Sequence, residues 1–351
     1  MRFALDDDQG MIQDAVRRFA EAEVGPKARE VDEAARFWGD ALGQLAELGL
    51  LAMSIPESAG GSGLDPVAAA TAVEELARQD GALAAAVAHH DIAAHALMRA
   101  GCEVQRTTWL PRLAGQEALA VYVGAADDLR IEGPHEDPRV SGALSFVPLG
   151  AEASLLLVRV RGELVSVDLS TQGVLRSPVQ GALGLRGLGW AHLSMEGAKA
   201  TVAAVDAAAW AEVEAARAVR LSAVSVGLAG AALSAARGYA LERKQFRRPI
   251  ADFQAIQWKL ADVATETDAA RLMTLRAADL LRRGEPAAAA AAQARLLATA
   301  AGVKAGYEAV QIFGGNGFVR EYVVERLLRD AKVLASSAGH PADAVAQALL
   351  A

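Results

Sequence analysis

A chain of 351 residues with a formal net charge of −8 is too long for one small core and is expected to divide into two or three domains or layers. Its residues are 53% hydrophobic and very rich in alanine, which favours helix and close helix–helix contact, so a largely helical protein is expected. Interspersed acids and bases leave no basic face for nucleic acid, and the lone Cys102 excludes an internal disulfide framework and fits a reducing cytosol.

The opening MRFALDDDQG is acidic where a signal peptide is basic and then apolar, so a cytoplasmic protein is expected. Residues 1–118 read as a helical domain. Met11, Ile12, Val16 and Phe19 recur at helical spacing, Phe37 to Leu51 repeats the pattern, and helices are predicted over 65–79, 83–100 and 103–114. P-E-S-A-G-G-S-G at 56–63 reads as a turn whose glycines are free to take positive φ.

Residues 119–207 read as a β domain. V-R-V-R-G-E-L-V-S-V-D-L (158–169) alternates around Arg161-Gly162 as a hairpin does. Val140–Val147, Gly189–Met195 and Lys199–Val205 fit further strands. From 208 to 351 the pattern is helical again. Leu221, Val224, Leu228, Ala231 and Ala235 form a stripe for a partner helix. Pro249 breaks the pattern, and Phe253, Ile256, Leu260 and Val263 begin a second helix. Gly284 ends it, Pro286 opens a third, and Gly314, Gly315 and Gly317 precede a fourth. The alanine run after Pro286 is interrupted by Gln293 and Arg295, so it is no membrane span. Four helices with short connections predict an antiparallel bundle, and the fold class is α+β, mostly α.

His89, His90 and His95 share a helix but lack a carboxylate or HExxH partner set, so a structural role is the plainer reading. The glycine-rich run at 181–190 opens no helix and makes a poor dinucleotide fingerprint. Two other stretches carry more. Y-A-L-E-R-K-Q-F-R-R-P-I-A-D-F-Q (239–254) ends one helix with Arg243, Lys244, Arg247 and Arg248, which is either a solvated helix end or an anion site. Q-I-F-G-G-N-G-F (311–318) carries a glycine pair that lets backbone N–H groups approach a ligand with no Cβ in the way.

Together these stretches resemble the acyl-CoA dehydrogenase family. G-L-L-A-M-S-I-P-E-S-A-G-G-S-G-L-D (49–65) and V-E-R-L-L-R-D-A-K (324–332) match further motifs, and the resemblance covers nearly the whole chain. It implies an N-terminal helical domain, a middle β domain and a C-terminal four-helix bundle, with FAD lying across a subunit interface. The bundle of one subunit would hold the adenine and diphosphate end through Arg243, Gln245, Phe246, Gln254, Gln311, Gly314 and Gly315.

The ring end departs from the family pattern. The family's T-E-P-x-x-G-S-D turn is replaced by V-Y-V-G-A-A-D-D-L-R (121–130), and its W-I-T tripeptide by Phe146-Val147-Pro148. Proline brings neither a hydroxyl nor an N–H. Tyr122 and Asp127 are the candidate substitutes. Dehydrogenation of an acyl thioester needs a carboxylate to take the α-proton. The family position for that glutamate falls on Ala338, followed by Gly339 and His340, and the alternative position on the first bundle helix falls on Arg217, a permanent cation. Glu214 and His340 are nearby substitutes, but no catalytic residue is assigned.

The resemblance therefore implies the non-base subunit of a heteromeric acyl-CoA dehydrogenase, paired as a heterodimer or α2β2 with a related catalytic subunit. Acyl-CoA would be the substrate and electron-transfer flavoprotein a further partner. The alternatives are a complete homo-oligomeric flavoenzyme with a relocated base or oxygenase chemistry, and a non-catalytic acyl-CoA-binding paralogue.

Overall fold

The computed structural model describes residues 4–134, 136–337 and 341–350. Six helices come first: α1 (Asp7–Phe19), α2 (Gly25–Ala34), α3 (Gly39–Glu47), α4 (Pro66–Gln79), α5 (Gly81–Ala100) and α6 (Glu103–Ala114). Their starts are set by acidic caps. Asp6 and Gln9 form a reciprocal capping box, Asp65 accepts from the N–H groups of Val67 and Ala68 ahead of Pro66, and Asp80 accepts from that of Leu83. The helix predicted from Phe37 to Leu51 is shorter, and a π-turn at Ala20–Val24 joins α1 to α2. The turn at 56–63 contains one short 3₁₀ element at Glu57–Ala59.

The middle region holds β1 (Ala120–Ala125), β2 (Arg130–Glu132), β3 (Arg139–Val147), β4 (Leu155–Val160), β5 (Glu163–Asp168), β6 (Val174–Pro178) and β7 (Ala191–Ala204). They form one sheet in the order β1-β4-β5-β7-β3-β2, with β6 also on β7; only the β1–β4 pair is parallel. Arg161 and Gly162 turn the β4–β5 hairpin with φ of 50° and 89°, the left-handed pair such a turn needs. Two strands predicted at Gly189–Met195 and Lys199–Val205 are a single one, β7. Gly197 (φ 59°) kinks it, so one half pairs with β3 and β6 and the other with β5. Strands β1, β2 and β6 were not among the sequence expectations; β2 and β6 are short and largely unburied, so no alternation marks them.

The C-terminal region comprises α7 (Ala207–Glu242), a two-residue-per-strand ribbon β8 (Lys244–Gln245) and β9 (Arg248–Pro249), then α8 (Gln254–Arg282), α9 (Ala288–Phe313), α10 (Val324–Ser336) and α11 (Pro341–Leu350). The bundle therefore has a fifth helix beyond the four expected, and α11 packs on α9. α7 is long and apolar enough to cross a membrane, yet 72% of its most apolar window is buried in the protein; it is the central helix of the core. Small residues let it approach its neighbours. A Cβ on Gly227 would lie 2.4 Å from the Glu74 carbonyl oxygen, so α7 and α4 meet there backbone to backbone. The Arg220–Asp91 ion pair, 2.7 Å long and fully enclosed, fixes α7 against α5.

Candidate functional site

The bundle end is built where α7 stops. Arg243 leaves the helix with extended backbone, its N–H still bonded to the Tyr239 carbonyl at 2.8 Å. The chain then doubles back through β8 and β9, with Phe246 (φ 50°) and Arg247 (φ 68°) at the turn. An Ile250 N–H bond to the Arg243 carbonyl (2.8 Å) closes the loop, and Gln254 begins α8. Phe246 is 88% exposed, edge-on to Phe253, and the Arg248 guanidinium lies 4.2 Å over the Phe253 ring.

Alongside, α9 ends at Phe313 and Gly314 turns the chain with φ 61°. No atom lies within 4 Å of where a Cβ on Gly314 or Gly315 would sit, so this backbone is open to an approaching group. The Tyr239 ring stacks on Phe313 at 4.0 Å, which brings the Arg243 stretch and the Gly314 turn together although they are far apart in sequence. Among the described residues, the side chains of Arg243, Gln245, Gln254 and Gln311 have no hydrogen-bond or ion-pair partner within the protein. An unpaired guanidinium, three free carboxamides and an open glycine backbone fit the diphosphate end of a dinucleotide.

The second region is a cavity of about 1000 Å³ bounded by the β domain, α5, α7 and α10. Its walls include Tyr122, residues 125–128 at the end of β1 and beyond it, Phe146–Pro148, Arg217, Lys332 and Ser336 of α10, and Ser337 just after it. Here Tyr122 and Arg217 are bonded into a cluster around Glu214, a residue of α7. The Tyr122 hydroxyl donates to Glu214 Oε1 at 2.6 Å, and Arg217 donates to Glu214 Oε2 at 3.2 Å and to the Val123 carbonyl at 3.3 Å. A Cβ on Gly124 (φ 88°) would lie 2.7 Å from Arg217 Nη1, so the guanidinium rests directly on that backbone. Burial, then the charge and hydrogen bond of Glu214, push the Tyr122 hydroxyl far above its ordinary range. Both oxygens of Glu214 are engaged, and Tyr122 rather than Glu214 faces the cavity.

The segment replacing the family tripeptide bends out of β3 with Phe146 and Leu149 both at positive φ. Phe146 is 61% exposed and packs edge-on to His192. Asp127 also lines the cavity, but brings an anion where the family pattern has a hydroxyl. Of the two candidate bases, His340 lies outside the described residues, as do Ala338 and Gly339.

His89 and His90 of α5 are buried and His95 is half-buried, and no group of three metal-binding side chains occurs among the described residues. Burial, then the cations Arg217 and Arg295, hold His89 neutral down to about pH 3. His89 also lines the cavity, a role its sequence position did not signal. Lys332 and Ser336 of α10 were missed too, although their spacing of four places them on one helix face. The glycine run at 181–190 is a loop clipped to α10: the Leu185 N–H donates to Asp330 at 2.6 Å and Arg329 donates to the Leu183 carbonyl at 2.9 Å.

A helical domain, a strongly bent sheet and a helical bundle, with a cavity where they meet and a cationic, glycine-bearing turn at the bundle end, define a flavoprotein dehydrogenase scaffold. Residues 6–117 match the acyl-CoA dehydrogenase N-terminal domain and residues 206–342 its C-terminal domain. The chain is similar to a probable acyl-CoA dehydrogenase of Bacillus subtilis (strain 168), at 34% identity over 95% of each chain. Among solved structures, it is similar to a chain from work on the electron transferring flavoprotein of Acidaminococcus fermentans (TM-score 0.92, 27% identity, all of both chains). It also shares its fold with butyryl-CoA dehydrogenase from Megasphaera elsdenii (TM-score 0.92, 24% identity, all of both chains). The chain belongs to the acyl-CoA dehydrogenase family, an oxidoreductase family whose cofactor is FAD.

Proposed function

We propose that this chain is the non-base subunit of a heteromeric acyl-CoA dehydrogenase acting on the α,β-bond of an acyl-CoA thioester. Its bundle end would hold the adenine and diphosphate part of an FAD whose ring lies in a related catalytic subunit. Arg243 would pair with the diphosphate, Gln245, Gln254 and Gln311 would donate to its oxygens, and the Gly314 and Gly315 amides would approach it without obstruction. Phe246 offers apolar surface to the adenine. When bound, FAD accepts the substrate hydride; the partner would supply the carboxylate that removes the α-proton.

The observation carrying this reading is the contrast between two sets of polar groups. Arg243 and the bundle-end carboxamides have no protein partner, whereas Glu214 is bonded through both oxygens to Tyr122 and Arg217. A second reading, a complete homo-oligomeric enzyme using Glu214, is favoured only by the contact of Glu214 with cavity-lining Tyr122.

Turnover separates the two. The chain purified alone is expected to reduce an artificial electron acceptor with straight-chain acyl-CoA no faster than its Glu214→Ala variant. Robust turnover that vanishes on Glu214→Ala or His340→Ala would establish the second reading and overturn the first. A cytoplasmic location, and electron-transfer flavoprotein as the acceptor, complete the proposal.

A further inference from the structure

Asn316 is the only polar side chain in the glycine turn at 314–318. Its amide nitrogen donates to the Tyr239 hydroxyl at 2.9 Å and reaches the Tyr322 hydroxyl at 3.5 Å. Tyr239 in turn is the residue whose carbonyl caps the Arg243 N–H. Its ring lies almost parallel to Phe313, 15° apart, and Tyr322 closes edge-on against both rings. The turn itself folds back on α9: a Cβ on the buried Gly317 would be 2.5 Å from the Val310 carbonyl oxygen. The helix end carrying Arg243 and the turn carrying Gly314 and Gly315 are thus joined by a ring stack and a hydrogen bond. The stack alone needs no hydroxyl at position 239, and phenylalanine would serve it.

We propose that Asn316 and Tyr239 are positioning residues for the dinucleotide: their hydrogen bond sets the spacing between Arg243 and the open amides of Gly314 and Gly315, so that both face one diphosphate. This rests on the reading that the bundle end holds the adenine and diphosphate part of FAD. Two elements grip one ligand together only if their separation is fixed before it arrives; otherwise part of the binding energy is spent on ordering them. Neither residue needs to touch the ligand.

The test uses the tagged full-length chain purified from its own cells in whatever assembly it forms, freed of flavin and titrated with FAD and with FMN. Tyr239→Phe and Asn316→Ala are each expected to weaken FAD binding about three- to tenfold, the value of one net hydrogen bond. The double variant should be no worse than either single one, because both remove the same bond. FMN lacks the adenylate half, so its affinity should not change, and the thermal midpoint of the flavin-free protein should fall by no more than about 1–3 °C, the share of one net hydrogen bond in a chain of this size. FAD affinity untouched in both variants, while Arg243→Ala weakens it, would overturn the positioning role and leave the half-site reading standing. FAD affinity untouched by Arg243→Ala would overturn the half-site reading itself. Equal losses for FAD and FMN, or a fall in the thermal midpoint well beyond that of one hydrogen bond, would assign the pair a general structural role and refute the proposal.

Discussion

Helix α7 serves two regions that treat polar groups in opposite ways. At its C-terminal end, Arg243 and the nearby carboxamides are unpaired beside an open glycine turn. In its N-terminal half, Glu214, Arg217 and Arg220 are bonded to Tyr122, to a backbone carbonyl and to Asp91. A polar group left free at a shaped surface is available to a ligand; one already bonded inside the protein holds the protein together. Substitutions should therefore cost stability in the N-terminal half of α7 and ligand affinity at its C-terminal end.

The largest effect is expected from the buried pair. Asp91→Ala strands the enclosed Arg220 guanidinium, and chemical denaturation should show a loss of about 3–5 kcal/mol, with FAD affinity unchanged in the protein that remains folded. Arg243→Ala should do the reverse. It is expected to weaken FAD by about 1.5–3 kcal/mol, the range for a hydrogen bond to a charged group, and to leave the denaturation midpoint of the flavin-free protein in place. A stability loss from Arg243→Ala would erase the distinction between the two ends.

A separate test concerns pH. Burial comes first among the causes that depress His89 to about 3, and His90 and His95 to about 4, against an ordinary 6.5. The unfolded chain takes up these protons as pH falls below 6.5, while the folded chain refuses them until about 4, and at His89 until about 3. Stability is therefore full above pH 6.5 and lost on the way down, at about 1.4 kcal/mol per pH unit for each histidine. His89→Gln should flatten denaturation-versus-pH curves between pH 6 and 4 by about one proton. An unchanged slope would mean that His89 is not closed off from water. Ala338→Glu should have the smallest effect. Although a placed general base is worth about 10²–10⁴-fold, it should restore no acyl-CoA turnover in this chain alone, because Pro148 and the loop at 125–128 still lack the polar contacts of the family's ring pocket.

Sequence pattern disclosed what local chemistry dictates. The acidic caps, the Arg161-Gly162 hairpin turn and the stretches at 239–254 and 311–318 each carry their own signal, and the seven site residues named from those stretches fall at one end of the bundle. What stayed hidden depends on partners distant in the chain. β2 and β6 lack alternation because little of either is buried, and β7 reads as two strands because Gly197 changes its partners midway. The bond from Tyr122 to Glu214 spans 92 positions; without it, Glu214 reads as a free carboxylate and a candidate base.

The central claim is most directly tested by counting flavin. On the family pattern that the sequence resembles, a dimer would have two FAD sites, each needing the ring pocket of one subunit and the bundle end of the other. If this chain contributes only its bundle end, the assembly isolated with its partner should contain about one FAD per heterodimer, or two per α2β2 tetramer, by flavin absorbance against protein concentration. One FAD per chain in a homo-oligomer of this protein would contradict the account.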